Sequence, residues 1–161
     1  MPDMLCPLVN LPDPRPLMAP LAAEGITFRR PNPWEATVLR EFIVKHFTQG
    51  WADEVSVAFS HQPVTAFCAF DGTEIVGFSA YECTRRNFFG PTGVDDSYRG
   101  RQIGKVLFLM ALHGLMDLGY AYCVIGAAGP VDFYRKAVGA EVITINGGEG
   151  IYKLKTDPRF S

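Results

Sequence analysis

Apolar positions recur along the chain with two different periods, and each change of period marks an element. Residues 1–24 hold six prolines and show neither period, so they are expected to form an irregular arm. "ITFRRP" (Ile26–Pro31) is a short strand. "NPWE" then opens a helix, with Asn32 as N-cap, Pro33 in the first turn and Glu35 at the third position. Trp34, Val38 and Phe42, with Leu39 and Ile43, fall on one helical stripe and are the expected buried face. Gly50 breaks this helix, and Trp51, Val55, Ala58 and Phe59 make a second, shorter helical face.

Two apolar runs then flank Asp71-Gly72, a hairpin signal because the turn wants positive φ. "FFGPTGV" (Phe88–Val94) is a further strand, in which Gly90, Pro91 and Gly93 predict a bulge. From about Arg101 to Leu118 the chain is apolar around most of a helix's circumference, which predicts deep burial, with Gly119 as its terminator. "YAYCVIGA" (Tyr120–Ala127) is a buried strand, Pro130 opens a helix through Lys136, and "AEVITI" with "GIYKLK" forms a closing hairpin over Gly147-Gly148. Strands alternating with helices in this order make a mixed α/β sheet, with the central strands covered by helices.

Composition narrows the function classes. A chain of 161 residues suits one domain with a substantial core. The net charge of −2 gives no basic face for nucleic acid. No apolar stretch approaches the roughly 20 residues of a membrane span, and the first residues lack the order of a signal peptide, so a cytoplasmic protein is expected. Cys6, Cys68, Cys83 and Cys123 are widely spaced and read as buried reduced thiols. The histidines, His46, His61 and His113, have no acidic or cysteine partner at a fixed spacing, and no metal site is expected.

The chemistry-bearing stretch is "DDSYRGRQIGKVLF" (Asp95–Phe108). A strand that feeds a glycine-bearing loop and then a helix offers free backbone N–H groups at the positive end of the helix dipole. Such an end binds phosphate. Arg99, Arg101 and Lys105 add cations where a helix start disfavours them, and a bound anion would explain the cluster. On this segment alone a solvated basic turn is nearly as good a reading. The triphosphate-loop pattern GxxxxGK[ST] is absent, and no GxGxxG follows the first strand.

"V-D-D-S-Y-R-G-R-Q-I-G" (Val94–Gly104) resembles the acetyl-CoA-binding signature of the GNAT N-acetyltransferase superfamily, V-x-P-x-x-R-G-x-G-I-G. "F-Y-R-K-A-V-G-A" (Phe133–Ala140) resembles that family's later F-Y-x-x-x-G-F element, and the hairpin over Asp71-Gly72 resembles its second and third strands. The similarity runs from about Ile26 to Lys155. Gln102 replaces the middle glycine, Asp96 stands where proline is common, and Ala140 replaces phenylalanine after one extra residue. A phosphate contact through the Gln102 N–H calls for helical φ at that residue.

The resemblance implies an α/β (α+β) fold: a mixed, mostly antiparallel sheet of six or seven strands, splayed between the fourth and fifth, with helices on both faces. Residues 25–161 would be one domain after the arm at 1–24. It further implies acetyl transfer from acetyl-CoA to a primary amine of a small molecule or amino acid in a ternary complex, without a metal. Thr92, Gly93, Val94, Arg99, Gly100, Arg101, Gln102, Ile103, Gly104, Lys105, Phe133 and Tyr134 would contact the CoA. A backbone N–H near Thr92–Val94 would stabilise the oxyanion. Tyr134 matches the general acid for the departing thiolate. Glu82 is the candidate base, with Asp95 second, and Phe47 and Trp51 are candidates for the acceptor wall. Asp53 and Glu54 could hold a cation. Two other readings stay open: a CoA-binding regulatory module without catalysis, and an acetyltransferase acting on a protein terminus or lysine. The arm and exposed edge strands leave room for a homodimer.

Overall fold

The apolar run after Gln102 folds as helix α4 (Ile103–Asp117), and the sheet is laid against it. The computed structural model describes residues 1–145 and 147–153. In chain order the other elements are β1 (Met4–Pro7), α1 (Arg15–Ala23), β2 (Ile26–Arg29), α2 (Ala36–His46), α3 (Gln49–Ser56), β3 (Ala66–Asp71), β4 (Glu74–Tyr81), β5 (Phe88–Val94), β6 (Tyr122–Ile125), α5 (Val131–Val138) and β7 (Glu141–Val142). The seven strands form one sheet in the order β2-β3-β4-β5-β6-β1-β7. Every pairing is antiparallel except β5 with β6. The mixed, mostly antiparallel sheet is therefore as expected.

Period-2 alternation assigns the two faces. On β4, Phe78 and Ala80 pack with Leu39, Ile43 and Val55 of α2 and α3, while Tyr81 joins Phe108 and Leu112 of α4 on the opposite face. Burying aromatics of this size stabilises the fold by about 1.5–3 kcal/mol each. The hairpin turns at the expected place, with Asp71 opposite Glu74 and Gly72 at φ +61. The expected bulge is present too: Ser79 pairs with Thr92 but Tyr81 with Phe89, so β5 carries an extra residue around Gly90-Pro91.

Several expectations are corrected. Residues 1–24 are not an irregular arm. Met4–Pro7 pairs with both β6 and β7, and Arg15–Ala23 is a helix that tolerates Pro20 inside it. Met4, Cys6 and Leu8 alternate into the core, and this burial outweighs the cost of the prolines around them. The closing hairpin is not formed as read. The β7 segment pairs with β1 instead, Ile151–Lys153 is a 3-10 turn, and the last two residues of "GIYKLK" lie outside the described residues. Trp34 and Val38 are 80% and 52% exposed, while Leu39, Phe42 and Ile43 are buried. The first turn, Pro33–Glu35, is 3-10 rather than α, which rotates Trp34 off the buried stripe. Gly50 lies inside α3, and the break comes earlier, at Phe47, with the Thr48 hydroxyl capping the Trp51 N–H.

Candidate active site at the splay

The parallel pairing of β5 and β6 is confined to Phe88 opposite Val124 and Phe89 opposite Ile125. Beyond Phe89, Thr92, Gly93 and Val94 stay in register with Ser79, Phe78 and Gly77 on the β4 side. On the other edge they have no strand partner among the described residues. Backbone N–H groups on that edge are free to meet something other than a strand. The glycines and Pro91 break the ladder here, and α4 begins just beyond it.

Two cavities open on the splay. One, of about 560 Å³, is lined by the end of β5, the loop through Gly100 and Gln102, the first turn of α4, and Pro130, Phe133 and Tyr134 of the α5 start. The other, of about 400 Å³, is lined by Phe89–Thr92, Ile125–Ala127, Trp51 of α3 and Tyr152. Thr92 and Tyr134 line both.

The loop is held from outside. The Asp95 N–H donates to the Val76 carbonyl at 2.8 Å, and the Tyr98 hydroxyl to Asp71 at 2.6 Å. Arg101 donates to Glu24 at 2.5 Å and lies over the Tyr98 ring. Of the twelve residues expected to contact CoA, Arg101 is the one missing from the lining of the larger cavity: it ties the loop to the end of α1. Arg99 and Lys105 do line it. Arg99 pairs with Asp96, its own neighbour in the loop, at 2.9 Å, and Lys105 makes no ion pair among the described residues. An unpaired cation in the first turn of a 15-residue helix is unfavourable without an anion.

Gln102 departs from the condition set for it. Its φ of +70 is left-handed, not helical, so glutamine holds the conformation a glycine would adopt. Gly100 is also left-handed, at φ +77. A left-handed residue running into a helix curls successive N–H groups toward one concavity, which suits an anion.

Tyr134 is 7% exposed, with its ring edge-on to Phe108 at 5.1 Å and to Phe133 at 5.2 Å. Burial pushes its phenol up to about 12, so it stays protonated through neutral pH. The candidate bases are elsewhere. Glu82, buried and turned by a φ of +61 at the end of β4, lines neither cavity, and its neighbourhood raises the Tyr120 phenol above its ordinary value. Asp95 caps the turn at Ser97 and faces His46 at 3.8 Å in a separate cavity. Cys83, beside Glu82, is buried and its thiol is pushed up to about 12, as fits a packing residue. Of the acceptor candidates, Trp51 lines the smaller cavity. Phe47 stands behind it, stacked on its ring at 5.4 Å and pressed against Gly93, where a Cβ would lie 2.4 Å from the Phe47 ring. Asp53 is held by Arg40 at 2.7 Å. Glu54, the other carboxylate read as able to hold a cation, is taken up by Tyr152, which escaped the sequence reading because their contact joins residues 98 apart and has no local signal.

The structure superposes on the GCN5-related glucosamine N-acetyltransferase region of a fungal multi-domain GH3 β-N-acetylglucosaminidase with a TM-score of 0.71, at 18% identity, over 88% of this chain. The chain has the GNAT fold. A GCN5-related N-acetyltransferase from Sphaerobacter thermophilus gives a TM-score of 0.64 at 20% identity over 88% of this chain. A GNAT family acetyltransferase from Brucella melitensis, solved with acetyl-CoA, gives 0.51 at 20% identity over 68% of this chain and 80% of that one. The chain spans 19% of the fungal protein and 48% of the Sphaerobacter protein. No family model matches this sequence, and no curated protein does. Within the GNAT fold, the larger cavity sits at the loop that carries the signature-like residues. Among the described residues no cluster of His, Cys, Asp and Glu could hold a metal, and no helix is long and apolar enough to cross a membrane.

Proposed function

We propose that this chain transfers an acetyl group from acetyl-CoA to a primary amine within a ternary complex. The observation that carries this is the sharing of Thr92 and Tyr134 by two cavities at the splay, one ending at a cationic helix start and the other at an aromatic wall. The free N–H groups at the start of α4, with Lys105 and Arg99, would hold the pyrophosphate. The unpaired edge of β5 near Thr92–Val94 would place the thioester carbonyl and stabilise its oxyanion. The neutral amine nitrogen bonds to the carbonyl carbon as the C–S bond breaks. Tyr134 gives its proton to sulfur and regains one from solvent, and the surplus amine proton passes to water. A phenol near 12 is a weaker acid than a thiol of about 8.5 in water, but the same apolar surroundings disfavour the thiolate and narrow the gap.

The lack of a carboxylate lining the acceptor cavity among the described residues favours a second reading, a CoA-binding module without turnover. One experiment separates the two. Protein is incubated with acetyl-CoA and an amine panel while free thiol is followed, and CoA binding is measured in parallel. Turnover supports the transferase. Binding with no turnover on any amine supports the module. Neither binding nor turnover defeats both.

A further inference from the structure

The smaller cavity is walled by aromatic rings held in place by a carboxylate that is itself already engaged. Trp51 and Glu54 lie one turn apart on α3, so they share a face. The Glu54 carboxylate accepts hydrogen bonds from the Thr84 hydroxyl and, at 2.5 Å, from the Tyr152 hydroxyl. Tyr152 is thereby fixed beside the helix face that carries Trp51, and both rings line the cavity. Gly126 backs the Tyr152 ring closely: a Cβ there would lie 3.7 Å from it and a tight 3.3 Å from the Phe88 ring. Phe89, Pro91 and Ile125 supply the rest of an apolar surface.

The charges around this surface are spoken for. Asp3 spends both carboxylate oxygens on the Ala127 and Ile151 N–H groups, at 2.8 and 2.9 Å. The one charged side chain lining the cavity among the described residues is a cation, Lys153. Lys153 is itself paired with Glu149 at 3.1 Å, and no carboxylate lines the cavity among the described residues, so a second positive charge on an acceptor would be desolvated here with no counter-ion in the lining, which is costly. A single amine on a flat apolar body loses no such hydration and gains ring contacts of roughly 0.5–1.5 kcal/mol each.

Resting on the acetyl transfer argued above, we propose that the acceptor is an arylalkylamine, its ring seated between Trp51 and Tyr152 and its nitrogen directed toward Thr92 and Tyr134. Polyamines and amino sugars are then poor acceptors.

The test compares kcat/KM for 2-phenylethylamine, spermidine and glucosamine, with CoA binding measured by calorimetry on the same preparations. The expected result is a preference for 2-phenylethylamine of at least about 30-fold, the scale that apolar pocket contacts support. Trp51→Ala is expected to raise its KM about 10-fold or more while the KM for acetyl-CoA stays within about twofold. Trp51→Phe, which keeps a ring and guards against loss of folding, should restore most of the affinity. Preference for spermidine or glucosamine in a protein that binds CoA overturns this inference and leaves acetyl transfer standing, as does an unchanged KM in Trp51→Ala. Failure to bind CoA overturns acetyl transfer, and this inference falls with it.

Discussion

Thr92 on β5 and Tyr134 on α5 face the same gap in the sheet, and together they line both cavities that open on it. The sheet loses pairing beyond Phe89 and Ile125, and the proposed acetyl transfer uses the space so created.

Tyr134→Phe removes the hydroxyl proposed as proton donor and keeps the ring that packs on Phe108 and Phe133. The expected outcome is a fall in kcat of about 10²–10⁴, the usual contribution of a positioned acid. CoA affinity should stay within about threefold, read by calorimetry alongside the thiol-release assay. Equal losses in kcat and CoA binding would mean that the hydroxyl only supports the pocket.

Gly93→Ala places a methyl into the Phe47 ring, 2.4 Å away, and behind that ring stands Trp51. Overpacking of this kind costs about 1–3 kcal/mol. The midpoint of urea unfolding should drop accordingly at unchanged slope. A neutral result would show that Phe47 can swing aside.

Gln102→Gly tests the left-handed residue before α4. A side chain there costs about 1–2 kcal/mol, and the extra freedom of unfolded glycine takes back about 0.4–1. A small net gain in the unfolding midpoint is expected, with CoA affinity kept because the backbone N–H is unchanged. A loss of stability would mean that the glutamine side chain makes up for its own strain.

Acid stability should depend on Arg29 and Glu35. The Arg29 guanidinium grips both Glu35 oxygens, at 2.8 and 3.0 Å, and the Asn32 N–H donates to the same carboxylate. The Arg29 contact is the main reason the Glu35 carboxyl falls from 4.5 to about 2. Because the folded value is the lower one, this contribution is complete above the unfolded value and is lost as pH falls through the folded one. Wild type should therefore weaken between about pH 4.5 and 2, and Arg29→Met should flatten that part of the curve, as read from urea midpoints against pH. Identical curves for the two proteins would remove the pair from the acid response.

Features written in adjacent residues were legible in the sequence. Asp71-Gly72 turned the hairpin, Gly90-Pro91 put the extra residue into β5, and the apolar run to Leu118 became α4, ended by Gly119 at φ +98. Features that depend on distant partners were hidden. Strand β1 is only Met4–Pro7 among prolines, and its pairing partners lie over 110 residues away. Nothing local distinguishes Arg101, drawn off to Glu24, from Arg99, which stays at the cavity. Glu82 reads as a strand-end carboxylate near the site until its left-handed backbone and its place outside both cavities are seen.

The most direct test of the central claim is a calorimetric titration of the full chain with CoA and, separately, with pantetheine, which lacks the nucleotide and its pyrophosphate. If the start of α4 and its loop grip the pyrophosphate, CoA binds one site and pantetheine binds at least about 100-fold more weakly, a difference of about 2.7 kcal/mol. Equal affinities, or no heat from CoA, would contradict it.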